Sequence, residues 1–182
     1  MPKVNQHFKT EIALLSKNDL IKLVVKAASM NQQFHDYVIV NHIDKVNGEN
    51  ELYELAISDI KVLFNKSYKG YSDELRLANM LATCNKRINE FAKVCKNKFL
   101  EMELIMFVLE IPFSLSTDHF ATCFTRYNQQ VYLLIKKALT ILNNKLHEDY
   151  HLQFAPKLNA YLKILHSYSQ HLDYVFILPD SV

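Results

Sequence analysis

Apolar residues recur at intervals of three and four along nearly the whole chain, the period of helices that bury one face. The first clear segment is LLSKNDLIKLVVKAA, residues 14–28. Ser16 and Asp19 stand three apart, as in a capping box, and predict a helix start there. Leu20, Ile21, Leu23, Val24, Val25 and Ala28 then supply a broad apolar face, expected to turn inward. A second helix is predicted over NQQFHDYVIVNHIDK, with Phe34, Tyr37, Val38 and Ile43 inward. Polar residues around Gly48 separate this hairpin from the next helix, which carries Leu52, Leu55, Ala56, Ile60, Leu63 and Phe64. That helix is expected to stop in NKSYKGYSD, with Gly70 as its end and Ser72 as the next N-cap.

The helix after Ser72 carries Leu75, Leu77, Ala78, Leu81, Ala82, Ile88, Phe91 and Cys95, with Asp73 and Glu74 in its dipole-favoured first turn. Residues 99–111 are apolar nearly all round and predict the most buried helix, closed by Pro112. Thr117 and Asp118 are read as the cap of a long helix bearing Tyr127, Val131, Leu134, Ile135, Ala138, Ile141 and Leu142, broken by NNK at 143–145. The last pattern begins after Pro156, with Leu158, Tyr161, Leu162, Leu165, Leu172, Val175 and Phe176.

Composition strengthens this reading. Only 2 Gly and 4 Pro occur in 182 residues, too few for the tight turns of a sheet protein. The expected fold is therefore all-α: a single domain over residues 1–182, with 1–8 as a flexible tail. About six to eight helices should pack as antiparallel hairpins, in a HEAT- or armadillo-like superhelix or in a bundle.

The segments LSKNDLIKLVVKAA, QFHDY and ELIMFVLEIPFSLSTDHFATCFTRYNQQVYLLIKKALTIL, in that order, also resemble the bacterial domain-of-unknown-function family 6155. The similarity runs over roughly residues 11–165. It implies an all-helical, repeat-like fold and brings no activity and no functional residues with it.

Charge and cysteine usage narrow the classes further. A net charge of +2 gives no general attraction to nucleic acid or anionic lipid. Cys84, Cys95 and Cys123 form no C-x-x-C pair and read as reduced thiols. The N-terminal residues MPKVNQHFKTEI lack the apolar stretch of a signal peptide, and the longest apolar run, LIMFVL at 104–109, falls far short of the ~20 residues of a membrane span. A soluble, cytoplasmic protein without membrane association is expected.

Candidate chemistry is sparse. His147, Glu148 and His151 spell H-E-x-x-H, the pattern of helical zinc hydrolase sites, in which two histidines bind metal beside a general base. Here the pattern follows the NNK break and precedes Pro156, which leaves a helix little room, and no third ligand stands in a familiar register. With 8 His in the chain, chance alone writes such a string in roughly 2% of comparable sequences. A polar interhelical turn is the preferred reading, with no metal and no cofactor.

His119 and Cys123 could share a helical face as a thiolate–imidazole pair, although no Asn, Asp or oxyanion-hole glycine completes it. HSYSQHLDY at 166–174 holds Ser, His and Asp without a nucleophile elbow, and reads as an amphipathic helix. Lys86, Lys93 and Lys96, with Arg87 and Lys98, form a basic helix face that could follow a phosphate backbone, seconded by Lys61, Lys66 and Lys69. Glu90, Glu101 and Glu103 dilute that field. The leading expectation is a non-enzymatic helical scaffold that binds a protein partner or itself. A nucleic-acid-associated protein is the alternative, and a zinc hydrolase comes last.

Overall fold

A computed structural model describes residues 4–123, 125–169 and 171–182. Among these residues the fold is all-α, with eight α-helices and no strand. The chain divides into two compact units, residues 1–48 and 49–182.

The first unit holds α1 (Gln6–Ala13), α2 (Lys17–Met30) and α3 (Gln32–Val38), the last widening into a π-helical turn at Ile39–Ile43. Helix α1 begins inside the segment read as a tail, with the Asn5 side chain accepting from the Phe8 amide at 2.8 Å. Residues 1–3 of that segment lie outside the described residues. Ser16 caps α2 as the spacing requires: its hydroxyl accepts from the Asp19 amide at 3.2 Å and donates to the Asp19 carboxylate at 2.7 Å. The predicted single helix over 31–45 instead changes winding at Ile39, where the Asp44 amide reaches back five residues at 2.8 Å.

The inward apolar face expected on α2 is not inward. No residue of α2 is buried, and Ile21 and Val25 remain 51% and 62% exposed. Helix α2 packs on α3, and Leu20, Ala27 and Ala28 are only half-buried. Two short helices cannot cover an apolar arc that runs more than halfway round a third.

The second unit contains α4 (Gly48–Phe64), α5 (Asp73–Val94), α6 (Lys98–Ser114), a 3₁₀ turn (Thr117–Phe120), α7 (Thr125–Lys145) and α8 (Asp149–Tyr168). Helix α6 is the axis of this bundle. It packs on α5 and α7, its Phe107 meets Phe64 of α4, and its Phe113 stacks on Tyr161 of α8 at 3.9 Å. An apolar surface on every side is what such a position requires, and nine residues of α6 are buried.

Several predicted boundaries move, each for a local reason. Helix α4 ends at Phe64, six residues short of Gly70. Helix α6 runs through Pro112 to Ser114: a proline this near the C-terminus removes one backbone bond, while burial of Pro112 and the Phe113 stack offset the loss. Helix α8 begins at Asp149 and runs through Pro156. The carbonyl that Pro156 leaves without its helical donor belongs to Leu152, which is 86% exposed, so water can satisfy it.

Thr117 and Asp118 open a 3₁₀ turn, capped by Ser116, in place of the long helix, which starts at Thr125 and continues through 143–145. A buried network fixes that break. Asn128 donates to the Phe120 carbonyl at 3.2 Å and accepts from the Ser169 hydroxyl at 2.9 Å. After Tyr168 the chain leaves the helix, yet Leu172, Val175 and Leu178 still close the core while Phe176 stays exposed.

Burial also sorts the thiols. Cys84 and Cys95 are fully buried, and burial pushes each up to about 12, whereas Cys123 is exposed. A thiol-reagent titration of the native protein should show one fast site, removed by Cys123→Ser, and all three only after unfolding.

Candidate functional site

The HEDYH residues fall at a helix start. His147 lies in the turn before α8, its side chain 74% exposed and its Nδ1 3.0 Å from the Asp149 carboxylate. Glu148 holds the N-cap position without making a side-chain cap bond, and His151 belongs to the first turn. Glu148 and His151 line a shallow cleft of about 450 Å³ with Asn143 and Leu146. His147 precedes the helix, so the i, i+4 geometry of two ligands on one helical face is not formed. Among the described residues no three His, Cys, Asp or Glu side chains converge as a metal ion needs.

His119 and Cys123 do not share a helix either. His119 sits in the 3₁₀ turn, 3.2 Å from the Glu74 carboxylate of α5, while Cys123 lies in the exposed bend beyond it. The Glu74 carboxyl is held below its ordinary value by its own backbone amide first, then by the Ser72 hydroxyl, with His119 adding to both. In the 166–174 segment, Ser169 is consumed by its bond to Asn128, and the helix predicted there stops at Tyr168. Gln170 lies outside the described residues.

The predicted basic face over 86–98 breaks up, because α5 ends at Val94 and Lys96 lies in the link before α6. Arg87 pairs with Asp59 at 2.8 Å and Lys86 stands 4.0 Å from Glu90, whereas Lys93 and Lys96 are exposed. Lys98 turns to other partners. At the N-terminus of α6, capped by the Asn97 side chain, Glu101 is only 3% exposed and lies between two ammonium groups. Lys98 donates to one carboxylate oxygen at 2.6 Å, and Lys137 of α7 reaches the other at 2.8 Å and Asn89 at 3.0 Å. Burial opposes the charge of Glu101, but the hydrogen bonds from Lys137 and Lys98 outweigh it and hold the carboxyl below its ordinary value.

Beside this triad opens a cleft of about 360 Å³. Helix α7 builds its wall from Leu133, Lys137, Ile141 and Lys145, a row of residues four apart, with Lys136 beside them. Lys136 and Lys145 are exposed and form no ion pair among the described residues; Lys136 lies 5.7 Å from the Tyr132 ring centroid. Sequence reasoning grouped Lys98 with Lys86 and Lys93, and missed Glu101, Lys136, Lys137 and Lys145 as a unit. The available signal was one glutamate inside the most apolar helix, which had to find cations, and the Lys136-Lys137 pair opposite it. The cleft gathers positive charge around one buried carboxylate.

The fold and its sites define an all-helical bundle preceded by a small helical unit, in which no described helix is long and apolar enough to cross a membrane. No family model matches the chain, and neither a curated protein nor a solved structure does.

Proposed function

We propose that the protein is a non-enzymatic helical interaction module that self-associates through its N-terminal unit. The observation that carries this reading is the placement of exposed apolar side chains. Among the described residues, 12 of the 22 exposed large hydrophobic residues fall within residues 4–46, and Val40 is the single large apolar side chain buried there. A unit that small, with so little core, gains its stability by burying those faces elsewhere.

A second copy of the chain suits one side of this unit in charge. On one side of α2, Asp19, Leu23, Lys26 and Met30 recur at intervals of three and four, with Leu15 just ahead of the N-cap. An antiparallel pairing with its dyad between residues 22 and 23 sets Asp19 against Lys26 of the other copy and Leu15 against Met30. That stripe is its own complement, as a twofold interface demands.

Light scattering coupled to size exclusion tests this reading. The full chain should run as a dimer, and Leu23→Asp with Met30→Asp should give a folded monomer with unchanged helicity. Asp19→Lys should also weaken the dimer, and adding Lys26→Asp to it should restore it. A wild-type chain that stays monomeric at high concentration overturns self-association, as does a dimer indifferent to these changes.

A further inference from the structure

We propose that the cleft between α6 and α7 is a binding site for a small organic phosphate bearing a diphosphate or a comparably charged group. The site is independent of the N-terminal unit and does not depend on self-association. Its four lysines, Lys98, Lys136, Lys137 and Lys145, face one carboxylate, Glu101, leaving a surplus of three positive charges around a space of about 360 Å³.

Two of those charges are organised rather than merely present. Glu101, buried and bonded to both Lys98 and Lys137, locks their ammonium groups at 2.6 and 2.8 Å and so fixes where a ligand's anionic oxygens would sit. Each ammonium has three donors, and Glu101 takes one from each, with Asn89 taking a second from Lys137. Donors therefore remain to face the cleft. The other two lysines, Lys136 and Lys145, have no ion-pair partner among the described residues, Lys136 lying over the Tyr132 ring, and their exposed ends can swing over a ligand. The α6 N-terminus at Lys98 adds its dipole in the same sense.

Phosphate is favoured over a single carboxylate by that charge surplus, and lysine binds phosphoryl oxygens as a mobile point charge. The cleft floor is apolar, formed by Leu133, Ile141 and the lysine stems. A floor of that kind suits an organic body attached to the phosphates better than a bare ion. The space lies in the range of small-molecule sites.

Isothermal titration of the full chain against ADP, inorganic pyrophosphate and adenosine tests the assignment. ADP should bind saturably at one site per chain, pyrophosphate more weakly and adenosine not at all. Lys136→Glu with Lys145→Glu should weaken ADP by at least about tenfold, because both side chains are exposed and leave the fold intact. Lys61→Glu with Lys66→Glu, at the end of α4, should leave the affinity unchanged. Equal affinity for pyrophosphate and ADP overturns the organic ligand in favour of the free anion. Absence of saturable binding, or equal losses in the two double variants, overturns the site. RNA binding that strengthens with length and vanishes on reversing Lys86, Lys93 and Lys96 assigns the basic surface to nucleic acid instead, and overturns it too.

Discussion

Phe91→Ala should lower the free energy of unfolding by about 3–5 kcal/mol, the largest stability loss of any substitution considered. Phe91 is fully buried on α5, which packs against both α6 and α7. Truncation removes the transfer free energy of the ring and leaves a cavity, because helices fixed by Ile88, Ile105 and Ile135 around the core close over it incompletely. Against the roughly 5–15 kcal/mol that a domain of this kind commands, the loss is a large share, and the midpoint of thermal unfolding should fall by about 10 °C. Leu55→Ala is the control: Leu55 is exposed on α4, and its truncation should cost no more than about 0.5 kcal/mol. Urea unfolding followed by circular dichroism distinguishes the two. A shifted midpoint with an unchanged slope for Phe91→Ala reports lost stability, and a loss below about 1 kcal/mol contradicts this packing.

Glu101→Gln should cost about 1.5–3 kcal/mol at neutral pH, the scale of hydrogen bonds to charged groups. The amide keeps the shape but not the charge, so Lys98 and Lys137 lose the anion between them, and one of the two contacts becomes donor against donor. The cost stays below that of opening a fully buried pair, since both lysines remain partly exposed.

The pH dependence follows from the direction of the Glu101 shift. Its carboxyl is held below the ordinary carboxylate value in the folded protein, so the unfolded chain takes up the proton first as pH falls. The stabilisation is therefore complete above the unfolded value, about 4.3, and is lost as pH drops through the folded one. Wild type and Glu101→Gln should differ most near neutrality and converge in acid. A difference independent of pH would show that the charge of Glu101 does not stabilise the fold.

The candidate site illustrates why local reading stopped where it did. HEDYH could be weighed from its flanking residues, and its placement at a helix start follows from them in part. The exact geometry did not: Pro156 proved compatible with α8 because Leu152 faces water, a fact about orientation that no residue string contains. The same holds for Lys98, which sequence proximity assigned to the 86–98 face. Its partner Glu101 is three positions on, but the second cation on that carboxylate, Lys137, is 36 positions from Glu101 and is brought to it by the packing of α7 on α6.

Helix periodicity, caps at Ser16 and Ser72, and the scarcity of glycine determine the all-α class, because each acts within a few residues along the chain. Residues 99–111 likewise announce a central helix, since only a position enclosed on all sides accepts apolar side chains all round. Tertiary structure alone decides which predicted faces find cover. The stripe on α2 and the one on α7 look alike as patterns, yet α7 buries ten residues and α2 none. Burial depends on how many neighbours the fold places around a helix, and that number is set by distant segments.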